Sequence, residues 1–299
     1  MIIDIKDLDC IFLTYNEPKR EEFWSQIKSM IPWAARVDGV KGSDAAHKAA
    51  AAASGTERFI LIDGDNIPDA AFFQQSLILN EKNADCVFRW RAKNSINGLV
   101  YGNGGISCWT KTHINNMRTH ENSDGSNETL VEFCFDSKYI PLWNCYSTTY
   151  PDQNPFQAWR AGFREGVKMC LDRGRRVTVP EFANMRNYQN LEYLNIWHTV
   201  GNDVAHGSWA TYGARYGTYK VMLDQNWDYT QVQDFAALEE IFKTDISSQF
   251  EKRRAHYHYI TGEIKNKLKI PVVEMGAEQS AFFKKFYSKI HRNKDIMAS

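Results

Sequence analysis

Two aspartates stand two residues apart at the end of an apolar run, Phe59-Ile60-Leu61-Ile62-Asp63-Gly64-Asp65. If the run continues as a strand, residues i and i+2 point to the same side, so both carboxylates face one place. Such a pair suits Mn²⁺ or Mg²⁺, which prefer oxygen ligands and commonly complete their shell with phosphate and water. A cation held there would neutralise a diphosphate leaving group, a Lewis-acid role. Gly64 would let a bulky ligand approach the backbone. The same residues also suit a turn in solvent, because Asp-Gly is a frequent turn sequence.

The flanking pattern indicates what positions the pair. Cys10 to Thr14 is a short apolar run suited to a strand buried on both faces, closed by Pro18. Lys19 to Met30 has helical spacing, with Phe23, Ile27 and Met30 on one face. A second strand end is expected at Val37 to Val40. Ser43 or Asp44 is expected to cap a helix over Ala45 to Ser54, stopped by Gly55. Phe59 to Ile62 then returns as a strand. Alternating strands and helices of this kind predict a doubly wound parallel sheet, with ligands outside the carboxyl ends of its strands. Cys86 to Arg91 reads as a further strand. Residues 98–110 read as strand, glycine turn, strand, with Asn103-Gly104 a strong hairpin signal.

The second half is more helical. Phe156, Trp159, Phe163, Val167 and Cys170 share one helix face, while Arg160, Arg164 and Lys168 form a basic stripe on another. Helices are also expected over Asp234 to Lys252 and Ala277 to Ile290. These patterns predict an α/β domain over residues 1–225 and a helical C-terminal extension over 226–299.

Composition narrows the class. The 299 residues are 43% hydrophobic with zero formal net charge, so a sizeable core is available and any cationic surface must be local. No apolar run approaches the ~20 residues needed to cross a bilayer, and no membrane partner is expected. The start, Met1 to Asp9, has no cationic segment followed by an apolar one, so no signal peptide is expected. Six scattered cysteines without a Cys-x-x-Cys pair suit a reducing cytoplasm.

Taken in order, Ile11 to Glu17, Gly39 to Ala50 and Phe59 to Asp65 resemble the GT-A glycosyltransferases, which have a strand and polar loop, a glycine loop and small-residue helix, and a strand ending in Asp-x-Asp. The resemblance covers residues 10 to about 110. It implies a Rossmann-like, mostly parallel GT-A sheet flanked by helices and a nucleoside-diphosphate sugar donor, UDP being the usual nucleotide. It places Thr14, Tyr15 and Glu17 against the nucleoside, with Asp38 and His47 completing the pocket and Gly104 and Gly105 beside the sugar. For Asp38 an ordinary turn, and for His47 a helix-surface position, stay open as alternatives.

The same resemblance implies a further metal or phosphate ligand from a later loop. His206, in the segment Trp197 to Trp209, is chosen over His198, and Arg215 is expected to meet phosphate. An inverting transfer needs a carboxylate base in addition to the Asp65 metal ligand, and Asp136, Asp152, Glu165 and Asp203 are candidates. Residues 156–169 and 101–105 also resemble glycosyltransferase-like proteins of T-even-type tailed bacteriophages. That likeness implies double-stranded DNA bearing hydroxymethylated cytosine as acceptor, in the host cytoplasm. Trp159, Arg160, Arg164 and Lys168 would contact it, assisted by Arg173, Arg175 and Arg176 and by the aromatics Trp143, Tyr146 and Tyr150. Protein, glycan or small-molecule acceptors, a nucleotidyltransferase and a non-catalytic DNA- or sugar-binding module are the competing readings. A nucleotidyltransferase would usually carry a glycine- and lysine-rich phosphate loop, absent from Thr14 to Pro18.

Overall fold

The structure, a computed structural model, describes residues 1–117, 138–184, 188–246 and 248–290. Two compact units divide between Tyr150 and Pro151, upstream of residue 225, where the sequence pattern puts the junction.

The first unit is built on a mixed sheet. β1 (Ile2–Asp4) pairs with β6 (Ser76–Ile78) in a small antiparallel ribbon. The main sheet has β2 (Asp9–Thr14), β3 (Ala35–Asp38), β4 (Arg58–Asp63), β5 (Asn66–Pro68), β7 (Val87–Asn94), β8 (Val100–Thr110) and β9 (Tyr139–Thr149). Their spatial order is β3-β2-β4-β8-β7-β9-β5. Helix α1 (Arg20–Met30) joins β2 to β3, α2 (Ser43–Ala53) joins β3 to β4, and α3 (Lys111–Asn116) follows β8.

Alternate residues of β2 and β4 serve opposite layers, which explains their continuous apolar runs. Cys10, Phe12, Ile60 and Ile62 share a core with Phe23 and Ile27 of α1. Ile11, Phe59 and Leu61 pack with Ala50 and Ala51 of α2. The cap of α2 differs from expectation: Gly42 is the N-cap at φ 92°, and no side chain caps it. That left-handed φ is open to glycine at little cost.

The sheet is not mostly parallel. β3, β2 and β4 run parallel, but β8 is antiparallel to both β4 and β7, β9 is parallel to β7, and β5 is antiparallel to β9. After β4 no α-helix intervenes until α3, and a right-handed crossover between parallel neighbours needs one.

Residues 98–110 do not form a hairpin; Val100–Thr110 is one strand. Its ladder with β7 jumps from Trp90↔Ile106 to Ala92↔Tyr101, so three extra residues of β8 leave the register as a large bulge. Gly102 (φ 65°) and Gly105 (φ 78°) supply its left-handed turns, and bulges bend the strand that carries them. The bend is required. Only Gly64 and Asp65 separate β4 from β5, and three Cα steps reach at most about 11 Å. A flat sheet would hold those strands four spacings apart, roughly 19 Å. The sheet therefore curls until β5 comes back to β4.

The second unit is mainly helical. It contains α4 (Pro155–Lys168), the hairpin β10 (Leu171–Asp172) and β11 (Arg175–Arg176), α5 (Val179–Ala183), α6 (Tyr188–Thr199), α7 (Gly207–Leu223), α8 (Phe235–Asp245), α9 (Phe250–Glu263) and α10 (Ala277–Ile290). The single helix expected over 234–252 is two, α8 and α9. Asn154 caps α4 through Oδ1 to the Gln157 amide at 2.8 Å, with Pro155 in the first turn. Among the described residues no helix is long and apolar enough to cross a membrane.

α4 and α7 meet backbone to backbone. A Cβ on Gly162 would lie 1.9 Å from the Ala210 carbonyl oxygen, and one on Gly166 2.2 Å from that of Ala214. Reciprocally, Cβ atoms on Gly213 and Gly217 would lie 2.0 and 2.2 Å from the carbonyl oxygens of Trp159 and Phe163. Glycine at four-residue spacing on both helices gives this approach. Gly213→Ala is expected to cost about 1–3 kcal/mol through forced separation of the helices. Gly262→Ala in α9, where a Cβ meets nothing within 4 Å, should be neutral or stabilising by about 0.4–1 kcal/mol. Urea midpoints of the two variants check the contrast.

Candidate functional site

β2 leads through α1 to β3 on one side, and β3 leads through α2 to β4 on the other. The order of connection therefore reverses between β2 and β4, and in doubly wound sheets ligands bind at the carboxyl ends of strands where it does so. Asp63 is the last residue of β4, in register with Leu13 of β2. The loop after β2 and the turn after β4 meet there.

Glu17 turns back so that its Oε2 accepts from the Tyr15 amide at 2.8 Å. Its carboxyl lies where a side chain on Gly64 would be: a Cβ there would come 2.8 Å from Glu17 Cδ and 3.0 Å from the Leu13 carbonyl. Gly64 thus makes room for Glu17, a different use from the ligand approach expected of it. Asp63 Oδ2 would be 3.2 Å from a Cβ on Gly105, so the β8 bulge lies directly beside the Asp-Gly-Asp turn.

The electrostatics are strained. Burial, then the charge of Asp65, then that of Glu17 push the Asp63 carboxyl up to about 8. Three carboxylates in one place, one of them desolvated, disfavour the ionised form unless a positive charge is supplied. Among the described residues no three His, Cys, Asp or Glu side chains converge as a ready-made cage. A hard divalent cation bound by two carboxylates, with phosphate and water completing its shell, needs none. The donor set fits such a cation.

Other residues expected at the nucleotide are committed to one another. Thr14, 2% exposed, donates its hydroxyl to Asp38 Oδ1 at 2.6 Å and accepts from Arg36 Nε at 3.0 Å. That bond, with Arg36 and Arg20 nearby, holds the Asp38 carboxyl below the usual carboxylate range. Tyr15 stays exposed at the carboxyl end of β2. His47 lies on the buried face of α2, its Nδ1 bonded to the Ser43 carbonyl at 2.8 Å and its ring edge-on to Trp109. It is a packing residue of the sheet face, not a surface histidine.

The remaining candidates belong to the second unit. His206 is the half-buried N-cap residue of α7 and makes no side-chain cap bond. The glycine after it answers to packing, since a Cβ on Gly207 would sit 1.7 Å from the Gly201 carbonyl oxygen. His198 is fully buried, with Nε2 2.9 Å from Thr218 Oγ1. Arg215, expected to meet phosphate, is instead a core residue. Its Nε and Nη2 donate to the His198 carbonyl at 3.0 and 2.7 Å, and Nη1 donates to Thr261 Oγ1 and Glu274. Each nitrogen already has a partner.

Asp203 is ion-paired with Lys284, and Glu165 is half-buried in α4. Asp136 lies outside the described residues. Trp159 is fully buried, its ring packed on Phe163 and Phe242, which removes it as a platform for a base. Arg160 and Arg164 lie over the Phe235 ring at 4.2 and 5.0 Å, and Lys168 is half-buried on the same helix. Arg176 donates to the carbonyls of Gln225 and Trp227, and Arg175 pairs with Glu181. In the first unit, Tyr146 and Tyr150 pack on the core while Trp143 is exposed beneath Arg91.

Sequence reasoning missed Asn66 and Arg36. Asn66 follows Asp65 directly, and its Nδ2 donates to the Gly104 carbonyl at 2.6 Å. Its position beside the carboxylate pair was the available signal. No protein-family model matches the chain, and no curated protein matches it.

Two outcomes follow. At pH 7 the folded protein must keep the Asp63 carboxyl largely protonated, a cost that Asp63→Asn removes, so in EDTA the variant should be stabilised by about 0.5–2 kcal/mol, read as a raised melting temperature. His198 is held neutral, its pKa lowered to about 3 by burial and the Arg215 charge. The unfolded chain binds a proton below about pH 6.5 that the folded chain refuses. Its contribution is therefore complete above that pH and is lost as pH falls towards 3. His198→Gln should flatten the stability–pH curve in that window.

Proposed function

We propose that this chain is a metal-dependent glycosyltransferase with a GT-A form of the Rossmann-like sheet, moving a sugar from a nucleoside-diphosphate donor, UDP being the expected nucleotide, to an acceptor hydroxyl. The observation that carries the reading is the carboxylate pair at the β2/β4 switch point, its Asp63 pKa raised by burial and then by the neighbouring Asp65 and Glu17. Asp63 and Asp65 would hold Mn²⁺ or Mg²⁺, which when bound stabilises charge on a departing diphosphate. Tyr15, exposed at the end of β2, would lie against the nucleobase, and Glu17 fixes the loop that carries it. Gly104 and Gly105 would border the sugar without side chains of their own. The loop after β2, Tyr15 to Lys19, has no glycine and one lysine at its end, unlike a glycine- and lysine-rich phosphate loop, which favours this reading over nucleotidyl transfer.

The acceptor we propose is an anionic one, hydroxymethylated duplex DNA, supported by Arg160, Arg164 and Lys168 on one face of α4. Stacking on Phe235 fixes the two guanidinium groups, and cations held this way still meet phosphate.

The test is a panel of nucleotide sugars with Mn²⁺, read as release of free nucleoside diphosphate. Asp63→Ala and Asp65→Ala should each lower release by about 10²–10³-fold without unfolding the protein. Full turnover by Asp65→Ala in EDTA would refute the metal role. In the acceptor arm, Arg160→Gln with Arg164→Gln should weaken DNA binding and flatten its salt dependence while donor hydrolysis continues. Hydroxymethylated DNA that gains no mass while donor is bound would redirect the acceptor to protein or glycan.

A further inference from the structure

Asn66 is the polar side chain at this site that the reading above leaves unused. It opens β5, paired with Thr149 of β9, and is 1% exposed. Its Nδ2 donates to the Gly104 carbonyl at 2.6 Å. Its Oδ1 is buried with no hydrogen-bond partner. Turning the amide over does not cure this, because it would set Oδ1 against the Gly104 carbonyl and lose the bond Nδ2 makes. An acceptor buried without a donor costs about 1–3 kcal/mol, and such an atom in a native structure asks for a missing ion or ligand.

The amide stands beside the carboxylates. The point where a Cβ on Gly105 would fall is 2.4 Å from Asn66 Nδ2 and 3.2 Å from Asp63 Oδ2. Asn66 is also the next residue after Asp65, on a link too short to let the two drift apart. A hard divalent cation takes amide oxygens as ligands alongside carboxylates. A neutral oxygen also adds a ligand without adding negative charge to a cluster already crowded with it.

We propose that Asn66 Oδ1 is the third protein oxygen of the cation site, completing with Asp63 and Asp65 a ligand set drawn from one turn of the first unit. This rests on the cation reading of the carboxylate pair. It assigns no ligand role to His206, and it gives Asn66 two duties: Nδ2 pins the glycine bulge, and Oδ1 faces the cation.

Mn²⁺ binding to the full chain, followed by electron paramagnetic resonance, separates these duties. Asn66→Ala loses both and should bind Mn²⁺ roughly tenfold or more weakly. Asn66→Asp loses the donor to Gly104 but keeps an oxygen, so its affinity should equal or exceed that of the wild type. If Asn66→Asp falls as far as Asn66→Ala, Asn66 is only a tether and the proposal is overturned. Wild-type affinity in Asn66→Ala overturns it equally. A second measurement needs no variant at Asn66: Mg²⁺ should shift the Asn66 side-chain carbonyl carbon in the wild-type protein and not in Asp63→Asn, and an unmoved signal refutes coordination. Wild-type protein that takes up no Mn²⁺, or takes it up unchanged by Asp63→Asn, brings down the carboxylate reading itself and the assignment of Asn66 with it.

Discussion

The arrangement of the first unit depends on a chain link of two residues. Gly64 and Asp65 must carry the backbone from the centre of the sheet to the strand at its far edge. Covalent reach forbids this in a flat sheet, so the sheet closes on itself and β8 bends to allow it. The bend costs three residues of register and is made by glycines at left-handed φ. Its consequence is chemical. The curl brings the bulge, the carboxylates and Asn66 to one place, and a flat sheet would have left Asn66 at an edge four strands away from Asp63.

That place is assembled against its own electrostatics. Burial, together with the charges of Asp65 and Glu17, pushes the Asp63 carboxyl up to about 8, and the Asn66 oxygen is buried unsatisfied. One positive charge within reach of both would relieve them together. Neighbouring polar groups show the contrast: Thr14, Asp38, Arg36 and Glu21 form a chain of mutual bonds that leaves little unmet. Strain concentrated at one spot, beside a well-satisfied network, is what marks a ligand site physically.

The second unit follows a different constraint. Its centre is a helix pair whose glycines lie against the opposing carbonyls, so large residues such as Trp159 and Phe163 pack around the seam and not within it. Arg215 is tied into the same body by the His198 carbonyl, Thr261 and Glu274. These residue types, arginine, tryptophan and histidine, are the ones that invite a functional reading in sequence. Here their burial gives them structural work, since a desolvated guanidinium must find fixed acceptors.

The sequence by itself determined the elements with strong local signals. The βαβαβ start through Asp63 and the amphipathic α4 are set by hydrophobic period and by breakers such as Pro18 and Gly55, all local quantities. It also located the carboxylate pair, because a strand's end and its next turn lie within a few residues. Tertiary structure alone decided the direction of the later strands, since parallel and antiparallel neighbours share the same alternation. It decided that Asn103-Gly104-Gly105 is a bulge and not a hairpin, because the difference lies in what β7 pairs with. It decided the fate of Arg215, His47 and Trp159, because burial depends on which distant residues cover a side chain. Asn66 belongs with these: its type and position were legible, but its orphaned oxygen exists only once a strand thirty-eight residues away along the chain, about that span by the pairing with Gly104, has bent over it.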